Sequence, residues 1–107
     1  MTVKELIDLV DAELLTGSPD REITGCYIGD LLSWVMGRAK EGDVWITIMT
    51  NMNIVAVAVM ADVACILLPE SCELPEDTRE KAAAQGVCVI RSARSAYECA
   101  AALSRVL

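Results

Sequence analysis

The sequence contains no histidine and no phenylalanine, and its only aromatic residues are Trp34, Trp45, Tyr27 and Tyr97. Without histidine, the commonest general base and the commonest metal ligand are both missing. Neither GxxxxGK[ST] nor GxGxxG occurs, so no glycine-rich loop is marked for cradling phosphates. No two cysteines stand at C-x-x-C spacing, which removes the dithiol-redox and zinc-ribbon patterns. Positive charge is scarce too: nine Lys and Arg stand against 16 Asp and Glu, for a net charge of −7. Lys and Arg supply most of the affinity for nucleic acids and for anionic membranes, so neither partner is expected. A small anion stays compatible with this balance, because backbone N–H groups hold phosphate without a basic surface. The opening Met1-Thr2-Val3-Lys4-Glu5 lacks the basic stretch and apolar run of a secretory signal. Five cysteines, Cys26, Cys65, Cys72, Cys88 and Cys99, make an odd count. Free thiols and a cytoplasmic location follow as the expectation.

What is present is aliphatic. The chain has 107 residues and is 54% hydrophobic, enough for one domain over residues 1–107 with one core of Val, Ile, Leu, Ala and Met. Between Val44 and Leu68 the single formal charge is Asp62. That stretch is long enough to cross a bilayer. Thr47, Thr50, Asn51, Asn53 and Asp62 divide it, however, and a buried strand–helix–strand accounts better for the pieces.

Local signals predict the order of elements. Thr2-x-x-Glu5 is a capping box opening a helix with Val3, Leu6, Ile7 and Val10 on one face. Ala12–Thr16 and Ile23–Ile28 read as strands separated by the turn cluster Gly17-Ser18-Pro19-Asp20. Asp30 is placed as the N-cap of a short helix from Leu31 to Ala39. Val44–Met49 reads as a strand, Ile54–Ala61 as a helix with no polar face, and Val63–Leu68 as a second apolar strand. Pro75-Glu76-Asp77 starts a helix that ends at Gly86. Val87–Ile90 is a strand, and Ser95-x-x-Glu98 caps a terminal helix reaching Arg105. From Val44 onward this is β-α-β-α-β-α, which implies parallel strands joined by right-handed crossovers. Strand directions in the first half are not fixed by the pattern.

Ligands of open parallel sheets sit outside the carboxyl ends of the strands. Three such ends are Thr50–Asn53, Pro69–Cys72 and Arg91–Ser95. Thr50, Asn51, Asn53, Ser71, Arg91, Ser92 and Ser95 are therefore expected to line one polar crevice. Asn53 and Ser95 also serve as plain N-caps, and arginines are commonly solvated. No catalytic residue, metal site or cofactor emerges. Cys26, Cys65, Cys88 and Cys99 are expected to be buried apolar side chains, with Cys72 alone in a loop. Glu70, Glu73, Glu76 and Asp77 gather at a helix start, where the dipole and solubility explain them. The unbroken apolar helix suggests self-association through Ile54, Val55, Val57, Ala58 and Met60.

Asp30-Leu-Leu-Ser-Trp-Val-Met, Gly42-Asp-Val-Trp-Ile-Thr47 and Asn53-Ile-Val-Ala-Val-Ala58 resemble the DRTGG domain family, and the order of elements agrees from Leu6 to Leu103. The resemblance implies a single α/β domain: a mixed or parallel sheet of about five strands flanked by helices. It also implies a dimer-forming module that regulates rather than catalyses. Such modules lie within phosphotransacetylases and within CBS-domain pyrophosphatases controlled by adenine nucleotides. The family's Asp-Arg pair falls here on Thr50-Asn51 and its Thr-Gly-Gly on Pro69-Glu70-Ser71, while Asn53 stands where a second Asp is common. Every name residue is replaced, and Asn51 in place of Arg removes a charge that would pair with a phosphate. The resulting expectation is a non-catalytic homodimer that senses a small anionic metabolite, such as an adenine nucleotide, or docks on a partner enzyme. The alternatives are an adaptor subunit without a ligand and, further off, a thiol enzyme acting through Cys72.

Overall fold

A computed structural model describes residues 1–107. Its first helix, α1 (Val3–Leu9), starts at the expected capping box. The Thr2 hydroxyl accepts from the Glu5 N–H at 3.2 Å, and the Glu5 carboxylate accepts from the Thr2 N–H at 2.8 Å. The chain then runs through β1 (Glu13–Thr16), β2 (Gly25–Ile28), α2 (Leu32–Arg38), β3 (Asp43–Ile46), α3 (Asn53–Ala61), β4 (Cys65–Leu68), α4 (Glu76–Gln85), β5 (Val89–Arg91) and α5 (Ala96–Ser104). A second capping box, Ser95 with Glu98, opens α5 as expected.

The five strands form one sheet in the order β1-β5-β4-β3-β2. β2, β3, β4 and β5 are mutually parallel and β1 is antiparallel to β5. The expectation of parallel strands in the second half therefore holds, and the two directions left open are now assigned. After β1 the chain bends at Gly17 and crosses to β2 at the other edge of the sheet. Gly17 has φ +77°, and a Cβ there would lie 2.7 Å from Cys88 Cα, so only glycine fits.

Apolar side chains fill both sides of the sheet. Val3, Leu6, Val44, Ile46, Cys65, Leu67, Ile90, Cys99 and Leu103 pack beneath α1 and α5. Trp45, Ile54, Val55, Ile66, Leu68, Ala82 and Val89 pack beneath α2, α3 and α4. Successive strand residues point to opposite faces, so a strand covered on both faces is apolar throughout. That is why Val44–Ile46 and β4 read as unbroken apolar runs; all four residues of each strand are buried, Asp43 at the start of β3 included. Trp45 is fully buried, and its indole N–H donates to the Gly29 carbonyl at 2.9 Å, tying the β2 exit to the core.

Three local expectations are corrected. Asp30 does not cap α2; Leu31 occupies that position with no side-chain bond. The Asp30 carboxylate instead accepts from the Thr47 hydroxyl at 2.8 Å and the Ile48 N–H at 3.0 Å. Asn53 is the first residue of α3 rather than its cap, and the Asn51 side-chain oxygen accepts the Asn53 N–H at 2.9 Å. Cys26 is exposed, because β2 is an edge strand and no helix covers it fully.

The self-association residues also divide. Ile54, Val55, Val57 and Ala58 lie in the chain's own core, against the sheet and neighbouring helices, so they present nothing to a second copy. Of the five, Met60 alone projects outward. An apolar helix sequence does not say which stripe meets the sheet; 3.6-residue periodicity makes that choice only once the sheet is in place. No helix is long and apolar enough to cross a membrane.

Candidate functional site

Four parallel strands deliver their carboxyl ends to one rim: Ile28, Ile46, Leu68 and Arg91. The loops after β3, β4 and β5 carry the expected site residues. Thr50 and Asn51 lie between β3 and α3, and Asn53 begins α3. Ser71 lies between β4 and α4, Arg91 ends β5, and Ser92 and Ser95 follow it. The rim thus gathers these residues on one end of the sheet.

Their chemistry at that end is largely internal. The Glu70 N–H donates to Arg94 O at 2.8 Å, and the Ser71 N–H donates to Ser92 O at 2.9 Å. The Ser92 N–H donates in turn to Leu68 O at 2.9 Å. Ser92 is buried; its hydroxyl donates to Val10 O at 2.7 Å and accepts from the Arg94 N–H at 3.1 Å. Ser95 is committed to its capping box. Thr50 contributes its carbonyl, which accepts from the buried Thr78 hydroxyl at 2.8 Å and joins the β3–α3 loop to α4.

Both arginines are paired with acids from the β1 side. Arg91 Nε and Nη2 donate to Glu13 Oε1 at 2.9 and 2.7 Å, and Nη1 reaches Cys72 O at 3.4 Å. Arg94 Nη2 donates to Asp11 Oδ2 at 2.6 Å. All four side chains keep solvent contact. The Arg94–Asp11 pair is the more exposed of the two, and exposed pairs are worth about 0–1 kcal/mol.

Glu70 and Ser71 both adopt left-handed backbone, with φ of +55° and +54°. Such backbone favours glycine, and the resemblance puts the family's Gly-Gly on these two positions. The left-handed turn is therefore present although the glycines are not. What it does here is direct two N–H groups onto the β5–α5 loop.

Sequence reasoning missed Asp11, Glu13, Asp30, Thr47 and Thr78 as members of this rim. Asp30 was expected as a helix N-cap, whereas its partners, Thr47 and Ile48, follow β3. Glu13 and Asp11 had no signal, since the direction of β1 was open. The thiols offer no activated nucleophile among the four with shifted pKa. Burial pushes Cys65 well up, and pushes Cys88 and Cys26 up to about 11, with Asp43 adding to Cys26. Burial also raises Cys99.

The largest cleft, about 500 Å³, lies at the opposite end of the sheet, between the ends of α3 and α4. Arg21 occupies its wall, donating to Asp62 Oδ1 at 2.8 Å and to the Asp62 and Val63 carbonyls at 2.9 and 3.2 Å. It thereby neutralises the negative end of α3.

A family model for the DRTGG domain matches residues 5–106. The chain belongs to the DRTGG domain family. Among solved structures, the DRTGG chain is similar to the CBS and DRTGG domains of the regulatory region of Clostridium perfringens pyrophosphatase, solved with its activator diadenosine tetraphosphate. The TM-score is 0.74 at 14% identity, over 95% of this chain and 45% of that one. This DRTGG domain thus spans less than half of its structural neighbour, and the likeness shows the shared fold. A search of curated proteins finds no match.

Proposed function

We propose that this DRTGG domain is a non-catalytic, homodimeric regulatory module that senses a small anionic metabolite at the carboxyl rim of its sheet. The observation that supports the reading is the position of Arg91 and Arg94 next to the Ser71 loop, where Arg91 Nη1 reaches Cys72 O and the Arg94 carbonyl accepts the Glu70 N–H, each guanidinium being paired with an acid that keeps solvent contact. A phosphate entering there takes the place of a carboxylate partner, because the guanidinium fork binds phosphate oxygens in the same bidentate way as carboxylate oxygens. The neighbour's regulatory region takes an adenine nucleotide as activator, which makes nucleoside phosphates the first class to try. Thr50, Asn51, Asn53, Ser71, Ser92 and Ser95 are the proposed surroundings of the ligand. Free cysteines suit a cytoplasmic setting.

The reading is tested by thermal denaturation with a panel of adenine nucleotides and dinucleoside polyphosphates. A ligand that binds the native state alone raises Tm, by about 2.7 kcal/mol of stability at a hundredfold excess over Kd. Arg91→Gln combined with Arg94→Gln should abolish the rise. No shift with any phosphate compound would sink the ligand.

One observation favours the second reading, an adaptor that docks on a partner enzyme without a ligand. The rim N–H groups of Glu70, Ser71, Ser92 and Arg94 are already bonded within the chain. They hold the loops shut rather than offering themselves to an anion.

A further inference from the structure

We propose that Asp11 is an internal competitor for the rim anion: its carboxylate occupies Arg94, where the ligand enters, and so sets how tightly a phosphate group binds there. The inference rests on the ligand of the preceding reading and adds the regulation of that site.

The two rim arginines are not equivalent. Arg91 belongs to the sheet. Glu13 is its register partner across β1 and β5, a single Glu13 oxygen accepts from both Nε and Nη2, and Nη1 reaches Cys72 O. Its side chain is 23% exposed. Displacing Glu13 therefore breaks a cross-strand contact. Arg94 lies in the β5–α5 loop with its side chain 39% exposed, and Nη2 alone is bonded, to Asp11 Oδ2. A guanidinium carries five N–H groups in a rigid fork, so Arg94 keeps free donors. It can exchange its partner without disturbing the sheet.

Asp11 is delivered to Arg94 by the backbone. Val10 ends α1, the Ala12 N–H donates to Ile7 O at 2.9 Å, and the turn sets Asp11 at φ +52°. The buried Ser92 hydroxyl donates to Val10 O at 2.7 Å, which fastens this turn to the loop that carries Arg94. The carboxylate is thus presented at 2.6 Å from Nη2 by a turn fixed independently of the ion pair. Its side chain is 77% exposed, so its release costs no burial. Glu98 is a second acid near Arg94, which lowers its carboxyl pKa, but Glu98 is committed to the capping box through the Ser95 N–H at 3.1 Å.

Carboxylate and phosphate use the same guanidinium fork, so they compete for it. Apparent affinity falls by the fraction of Arg94 that Asp11 leaves free, and for an exposed pair that is a factor of roughly five. The fold therefore carries its own weak anion in the place of the ligand, and a metabolite must outcompete it.

The test is isothermal titration of the full chain with inorganic pyrophosphate and with ATP, on the wild type, Asp11→Asn, Asp8→Asn, Glu13→Gln and Arg94→Gln. Asparagine tolerates left-handed backbone, so Asp11→Asn keeps the turn. Asp11→Gly suits the same backbone and is the second variant. Asp8 is exposed on α1 and bonds no arginine, so Asp8→Asn reads the plain effect of one charge. Asp11→Asn and Asp11→Gly should tighten binding roughly fivefold, and Asp8→Asn by less than about twofold. Glu13→Gln should gain less than Asp11→Asn, and Arg94→Gln should lose binding. Binding by Asp11→Asn where the wild type shows none also supports the competitor. Equal affinities for Asp11→Asn and Asp8→Asn, a larger gain from Glu13→Gln, or binding that survives Arg94→Gln overturns it and leaves the rim ligand standing. Binding of neither probe by any of these chains, with no Tm rise across the nucleotide panel, overturns both.

Discussion

The Glu70 N–H reaches the Arg94 carbonyl at 2.8 Å, and it does so from a backbone φ of +55°. Ser71 repeats the arrangement one residue on, reaching Ser92 O at 2.9 Å from φ +54°. Two L-residues are held in a conformation that costs about 1–2 kcal/mol each, because the loop they close locks two strand exits together. Glu70→Gly and Ser71→Gly should therefore each stabilise the fold by about 0.5–1 kcal/mol, after the larger unfolded-state freedom of glycine is subtracted. Urea denaturation of the two variants checks this. Ser71→Val, which is β-branched, should destabilise.

Thr47 is buried, and its hydroxyl donates to Asp30 at 2.8 Å while accepting the Met49 N–H at 3.2 Å. Thr47→Val keeps the shape and removes both bonds. The expected loss is about 1–3 kcal/mol, since the Met49 N–H and one bond to the Asp30 carboxylate lose their partner. A double-mutant cycle with Asp30→Ala should return a coupling of about 0.5–2 kcal/mol. Additivity of the two single losses would mean that the pair is incidental.

The thiols should fall into two kinetic classes. Cys65, Cys88 and Cys99 are buried and should react with a thiol reagent only at the rate of unfolding. Cys26 is exposed, but its pKa is pushed up to about 11 by desolvation and by Asp43. Its alkylation should rise about tenfold per pH unit from pH 7 to near 10, because the thiolate is the reacting form. Mass spectrometry of iodoacetamide-labelled peptides separates the classes. Asp43→Asn should quicken Cys26 labelling at neutral pH.

The two capping boxes give a pH dependence with a definite sign. Backbone bonds from Thr2 and Ser95, helped by their hydroxyls, hold the Glu5 and Glu98 carboxyls below their usual value of 4.5. A folded pKa below the unfolded one means that the contribution is complete above about pH 4.5 and is lost as pH falls through the lowered value. Tm of the wild type should drop toward that of Glu5→Gln with Glu98→Gln as pH goes from 5 to 3. The difference between them should be constant from pH 6 to 8.

Much of this fold is written locally. Thr2-x-x-Glu5 and Ser95-x-x-Glu98 became capping boxes, and Gly86, at φ +71°, ends α4 as its position suggested. Each such signal involves a few residues and a bond that forms within one turn, so it is legible without the rest of the chain. Alternating apolar runs and helix starts from Val44 onward likewise fixed the parallel order, because short connections leave little choice. The apolar stretch of α3 was legible as a helix, while the partition of Ile54, Val55, Val57 and Ala58 inward from Met60 outward was not. That division depends on where the sheet lies.

By itself, then, the chain determined its elements, their caps, its family and the rim on which its polar loops meet. Only the tertiary structure decided that β1 runs antiparallel, that Asp30 bonds Thr47, that Glu13 and Asp11 neutralise Arg91 and Arg94, and that β2 is left as an open, uncharged edge. The physical reason is separation along the chain. Arg91 and Glu13 are 78 residues apart and Arg94 and Asp11 are 83 apart. No local pattern encodes a contact made only when distant strands are set side by side, and the edge of a sheet is defined by the strand that is not there.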